Sequence, residues 1–151
     1  QKTGGVRLKE MFETPSGRAD TDKVREYVKN EFLPAYDAVT HISKAGELIG
    51  VSGTPTTIAS LSAGLKNYCP EKIQGAELSL NVLDGELQKL ADMTGVQRAE
   101  YSGDFAPRAD IIVYGGCILS AFMHFYGFGK ITVSDRDSLE GYMEYMLQTE
   151  G

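Results

Sequence analysis

Apolar residues recur along this chain in two rhythms. Val24, Tyr27, Val28 and Phe32 stand three and four apart and predict a helix. Asp20 or Thr21 caps it, and the acidic residues early in it suit the helix dipole. Pro34 is expected to kink or end it, because proline removes a donor and clashes with the preceding turn. Leu80, Leu83, Leu87 and Leu90 mark one face of another helix, capped by Ser79. A longer one runs from Pro107, a favoured first helical residue, to about Tyr126, where Gly127-Phe128-Gly129 ends it. It is apolar nearly all round but interrupted by Gly115, Gly116, Ser120 and His124. The apolar run within it, around Ile111 to Tyr126, is too short and too mixed to span a bilayer and reads as a buried helix. Asp137 with Glu140 three residues on resembles a capping box for a last helix over 138–148, with Tyr142 and Tyr145 expected to be half-buried.

The second rhythm is short and β-branched. Lys130 to Ser134 predicts a strand, and Glu47 to Val51 a short buried one. Gly5 to Phe12 is read as a strand and its exit, closed by the turn cluster Thr14-Pro15-Ser16-Gly17. A helix follows the second of these runs to about Leu65, broken by Tyr68-Cys69-Pro70. The segment Thr94 to Ala106 is expected to be irregular, with at most a short helical turn. Strands alternating with helices through short connections argue an α/β architecture. Neither an internal repeat nor a low-complexity stretch interrupts it.

Composition narrows the function more than the fold. The 151 residues suit one domain with a real core, and the apolar share of 42% is ordinary for a globular protein. A formal charge of −6 argues against a nonspecific nucleic-acid binder, because no basic surplus exists to neutralise a phosphate backbone. One local basic pocket still suffices for an anionic small molecule. Cys69 and Cys117 lack metal-ligand spacing and read as reduced thiols of a cytoplasmic protein. His41 and His124 are too few and too isolated for a zinc site. No signal peptide is visible. Gln1 is no initiator, and an opening straight into a strand-like run is expected of a piece of a longer polypeptide.

The chemistry concentrates in Gly50-Val51-Ser52-Gly53-Thr54-Pro55-Thr56-Thr57. A strand, a Gly- and Thr-rich turn and a helix start place free backbone N–H groups and hydroxyls where anions, phosphate above all, are attracted. The turn lacks the lysine of a Walker A loop, and Thr54 stands where a nucleophile elbow needs its second glycine. An ordinary structural cap is the alternative, since Ser, Thr and Pro are common first-turn residues.

Five segments, in order and at matching spacing, resemble the exopolyphosphatase/guanosine pentaphosphate phosphohydrolase family, Ppx/GppA. Gly4-Gly5-Val6-Arg7-Leu8-Lys9-Glu10 looks like its Gly-x-Val-Arg-Leu-(Thr)-Glu strand, and Gly50 to Thr57 like its Gly-x-Gly-Gly-Thr-x-Thr-Thr loop. Gln74-Gly75 with Leu78-Ser79 resembles His-Gly-x-x-Leu-Ser. Arg108-Ala109-Asp110-Ile111-Ile112 resembles Arg-Ala-Asp-Ile-Ile, and Thr132-Val133-Ser134-Asp135 with Glu140-Gly141 its last strand and helix. Ser52 departs from a usual glycine, which restricts close backbone approach to a ligand. Leu139 departs from a common Arg.

The resemblance implies part of a ribonuclease-H-like domain of the actin/Hsp70/sugar-kinase type, helix-rich with few strands. Residues 1–151 would be the second domain, lacking the first domain and the opening strands of the second. Of the sheet order 3-2-1-4-5, the chain would supply strand 3 near Val6 to Glu10, strand 4 near Glu47 to Val51 and strand 5 near Lys130 to Ser134. The missing strands leave unpaired edges, so the sheet is rearranged, is completed by another chain, or leaves stability to the helices.

The implied reaction is release of terminal phosphate from polyphosphate or from guanosine penta- or tetraphosphate. Mg²⁺ is implied as cofactor, with its ligands and the catalytic groups expected outside this chain. Gly53, Thr54 and Thr56 are the candidates for one wall of the cleft, and Arg108 for gripping phosphate with two parallel bonds. For Arg108 an ion pair with Asp104 or Asp110 is the alternative. Gly115 and Gly116, costly inside a helix by roughly 1 kcal/mol each, are expected to pack closely on the Gly-Thr loop or strand 4. Two other functions stay open: a non-catalytic module binding phosphorylated nucleotide or polyphosphate, and a structural domain forming a homo-oligomer. Neither nucleic acid nor membrane is an expected partner.

Overall fold

A computed structural model describes residues 4–32, 46–136 and 138–149. The elements are α1 (Gly5–Phe12), α2 (Thr21–Phe32), β1 (Ile49–Val51), α3 (Gly53–Ser62), α4 (Pro70–Ile73), β2 (Glu77–Ser79) and α5 (Leu80–Ala91). Then come α6 (Gly95–Ser102), a 3₁₀ segment (Gly103–Arg108), α7 (Ala109–Tyr126), β3 (Lys130–Ser134) and α8 (Ser138–Thr149). Pro34, His41 and the capping residue Asp137 lie outside the described residues.

The fold is organised around α7, against which α1, α2, α3, α5 and α6 all pack. Leu8, Val24, Val28, Ile58, Leu83 and Leu87 reach it fully buried, beside Val113, Tyr114, Cys117 and Met123 of α7 itself. The helical stretch Gly95–Tyr126 is long and apolar enough to cross a bilayer by length and composition. In this fold its α7 portion is instead the core helix, so its apolarity on nearly every side is used by neighbours. Gly127 ends it in the left-handed region, at φ 77°.

Side-chain polarity fixes the helices further. Asp84 of α5 accepts from Ser120 of α7 (2.5 Å), from Arg25 Nη2 of α2 (3.1 Å) and pairs with His124 Nε2 (2.7 Å). His124 is therefore a structural tie among three helices. Arg98, fully buried, donates from Nε to the Met93 carbonyl (3.3 Å) and from Nη2 to that of Gly17, holding α6 to the turn before α2.

The sheet is small. β3 is central, parallel to β1 with Gly50 opposite Val133, and antiparallel to β2 with Leu78 opposite Ile131. β1 and β3 are the expected strands 4 and 5, and β3 has the expected bounds. The expected strand over Val6 to Glu10 is corrected: Gly5–Phe12 is helix α1. A lone strand must find a partner for its backbone groups. A helix satisfies them locally, and it buries Leu8 against α7 with Phe12, one turn on, packed beside it.

Other expectations change as well. Thr94 to Ala106 is α6 and the 3₁₀ segment, begun by a capping box between Thr94 and Gln97. Pro107 lies in the 3₁₀ segment, two residues before α7. Helix α3 stops at Ser62, because Gly64 turns left-handed at φ 69° and its N–H returns to the Leu61 carbonyl. Ser79 caps α5 as expected, accepting from the Val82 N–H (3.3 Å), and also closes β2, which the pattern did not mark. Tyr142 and Tyr145 are 59% and 61% exposed rather than half-buried.

Candidate phosphate-binding site

β1, Ser52 and α3 form the strand–turn–helix that the sequence implied. Gly50 lets α3 fold close over the sheet: a Cβ there would stand 2.9 Å from Cβ of Pro55 and overlap the Ile131 side chain. Ser52 takes φ 75°, ψ −173°, a conformation that suits glycine and costs a side chain of order 1–3 kcal/mol. Its hydroxyl does not cap the helix. Instead Thr56 Oγ1 donates back to the carbonyls of Ser52 (3.1 Å) and Gly53 (3.3 Å). The N–H groups of Gly53 and Thr54, in the first turn, take no acceptor from their own helix.

Arg108, exposed at the end of the 3₁₀ segment, lays its guanidinium across Gly53: a Cβ on that residue would be 2.8 Å from Cζ. Among the described residues this guanidinium forms no ion pair. Asp104 Oδ2 accepts from the Tyr68 N–H (3.2 Å), and Asp110 takes Lys9 Nζ (3.1 Å). The alternative of an Arg108 pair with Asp104 or Asp110 is thus not what forms.

Gly53, Thr56 and Arg108 line one open cavity of about 520 Å³, with Ser52, Tyr68, Asp104, Phe105, Pro107 and Asp135. It opens where Val51 and Ser134 pair, at the carboxyl ends of the parallel strands β1 and β3, the usual binding place of open α/β sheets. Thr54 faces the other way. Its Oγ1 lies against Gly115, where a Cβ would stand 2.7 Å from it, and it lines a second, mostly apolar groove of about 660 Å³ with Val6, Pro55, Ile111 and Phe122. Gly115 thus packs on the Gly-Thr loop as expected. Gly116 packs instead on Ile58 and Leu87. Thr56's proton is committed to the two carbonyls, so of the proposed hydroxyl donors neither aims freely into the polar cavity.

Tyr68, Phe105, Asp104 and Asp135 were not singled out beforehand. Tyr68 and Phe105 meet edge to face, with centroids 6.1 Å apart, across a chain separation that no local pattern reports. Asp135 had a readable signal, since it directly follows the C-terminal end of β3. Its N–H is fixed by Gln74 Oε1 at 2.9 Å. The cavity lining holds one guanidinium and two carboxylates, so a bare polyanion is not favoured by charge alone. Asp104 and Asp135 offer hard oxygen donors of the kind that magnesium takes. Among the described residues, however, no three His, Cys, Asp or Glu side chains gather as a metal site.

The arrangement is an actin-like, ribonuclease-H-like fold, rich in helices with a small three-stranded sheet. Among solved structures, the chain superposes on Ppx/GppA proteins. The Aquifex aeolicus family member matches with a TM-score of 0.82 at 20% identity over 98% of this chain and 47% of its own. A Cytophaga hutchinsonii exopolyphosphatase matches with 0.76 at 26% identity over 99% of this chain and 49% of its own. In sequence the chain is 28% identical over 144 residues to exopolyphosphatase 2 of Mycobacterium tuberculosis, covering 91% of this chain and 45% of that protein. It is 29% identical over 146 residues to the bifunctional 3-dehydroquinate synthase/phosphatase of Fusobacterium nucleatum, spanning 21% of it. No protein-family model matches the chain. The likeness to Ppx/GppA exopolyphosphatases, covering their C-terminal half, is therefore borne out, and the chain spans less than half the length of these relatives.

Proposed function

We propose that the chain is the C-terminal half of a phosphoanhydride hydrolase and forms one wall of its cleft. The observation that carries this reading is the Arg108 guanidinium, without a carboxylate partner among the described residues, lying over Gly53 at the start of α3. A terminal phosphoryl group placed there would accept from the guanidinium and from the first-turn N–H groups. Phosphoryl transfer asks mainly for positioning, charge neutralisation and an oriented water. This wall supplies positioning. Water activation and a magnesium ion would come from the remaining half of the polypeptide.

Polyphosphate is the preferred substrate, since the named relatives include exopolyphosphatases. Guanosine penta- or tetraphosphate is the second choice. A cytoplasmic setting goes with either, and with the two free thiols. The test is Mg²⁺-dependent phosphate release from polyphosphate by the parent protein and by this chain alone. An active parent and a silent chain are expected. A silent parent would end the hydrolase claim, and an active chain would end the claim that the reacting groups lie elsewhere. With pyrophosphate as probe, Arg108→Ala should weaken binding; unchanged affinity removes Arg108 from the site.

A further inference from the structure

Among the described residues, Ser52 is the one non-glycine residue with a positive φ, at 75° with ψ −173°. The chain imposes that conformation from both sides. Val51 before it is paired with Ser134 of β3. The Ser52 carbonyl accepts from the N–H (3.5 Å) and from Oγ1 (3.1 Å) of Thr56 in α3. A strand thus turns into a helix within this single residue, and glycine would make that turn without strain. The serine side chain gives the fold nothing in return. Its hydroxyl does not cap α3 and has no hydrogen-bond partner among the described residues. The residue is exposed, so it buries little surface either. It stands on the ridge between the apolar groove and the polar cavity and lines both, beside the Gly53 that carries the Arg108 guanidinium. Thr54 faces the groove and Thr56 commits its proton to two carbonyls. Of these three hydroxyls, that of Ser52 alone is free to donate into the polar cavity.

We propose that Ser52 Oγ is a ligand of the phosphoryl group held in this cavity, and that its strained backbone is kept for that contact. Strain that the surrounding structure over-determines, and that no packing or hydrogen bond of the residue itself offsets, gathers at ligand sites. Donors of three origins then meet one tetrahedral group. They are the Arg108 guanidinium at the end of the 3₁₀ segment, the first-turn N–H groups of α3 and the hydroxyl of the turn between β1 and α3. A hydroxyl rotates to suit its partner, so Ser52 can donate to a bare phosphoryl oxygen or accept from a protonated one. The inference rests on the reading of this cavity as a phosphate site and adds a residue to it.

Two variants of the 151-residue chain test it, by calorimetric titration of pyrophosphate beside thermal melts. Ser52→Ala keeps the strain and loses the hydroxyl. Its affinity should fall about tenfold, the worth of one hydrogen bond to a charged group, with Tm within about 2 °C of the wild type. Ser52→Gly loses the hydroxyl and the strain together. Its affinity should fall by a like factor while Tm rises by roughly 2–6 °C. A merely structural serine would move Tm and leave the affinity alone. Wild-type affinity in either variant overturns the proposal and leaves the phosphate site standing. A Ser52→Gly variant no more stable than the wild type also overturns it, since no strain was then held for the ligand. Failure of the wild type itself to bind pyrophosphate overturns this inference and the phosphate site together.

Discussion

Adding one methyl group at Gly53 should separate folding from ligand binding. The new Cβ would overlap Arg108 Nη1 and stand 2.8 Å from Cζ, where carbon contacts prefer about 3.5 Å, so the guanidinium must retreat by roughly 0.7 Å or more. Arg108 is exposed and can turn away at little cost. Alanine gains up to about 1 kcal/mol over glycine inside a helix, and less in the first turn. Stability of Gly53→Ala should thus stay within about 1 kcal/mol of the wild type, a change of a few degrees in Tm for a chain of this size. Binding behaves differently. Hydrogen bonds from a charged group are worth about 1.5–3 kcal/mol each, so losing the aligned guanidinium should weaken pyrophosphate by roughly ten- to a hundredfold. Calorimetric titration of Mg²⁺-pyrophosphate into both proteins, beside a thermal melt, reads the two quantities. Unaltered affinity in a folded variant would refute the anion site. A large fall in Tm with binding intact would show that Arg108 over Gly53 is packing.

Asp84→Ala should destabilise by about 2–4 kcal/mol in chemical denaturation, because it leaves the buried Ser120 hydroxyl and Arg25 without their acceptor. Gly103→Ala should lose about 2 kcal/mol or more, since it forces φ 56° on alanine and drives a Cβ to 3.2 Å from the Lys66 carbonyl carbon. At pH 8 a thiol reagent should modify Cys69 promptly and Cys117 only after unfolding, because burial pushes the Cys117 thiol up to about 12. Burial likewise raises the Tyr114 phenol to about 12. A raised pKa means the fold favours the protonated form, so this contribution is whole below pH ~10 and lost as pH rises through 12. An absorbance titration should show a late tyrosine that vanishes in Tyr114→Phe.

What the sequence alone determined is local or periodic. Leu83, Leu87 and Leu90 marked the buried face of α5, β3 was readable from its β-branched run, and Gly53 with Thr54 and Thr56 marked a helix start. Each depends on neighbours a few residues away, whose spacing is written in the chain. The identity of α1 was not local, because the short run Gly5–Phe12 suits a strand or a helix and its burial of Leu8 against α7 decides for the helix. The cavity also needed the tertiary structure. Only packing brings Arg108 over Gly53, turns Thr54 away toward Gly115, and sets Tyr68 beside Phe105 and Asp135. Those contacts join residues some 30 to 80 positions apart, and their geometry is decided by how α3, α7 and β3 share one core rather than by any preference of the residues themselves.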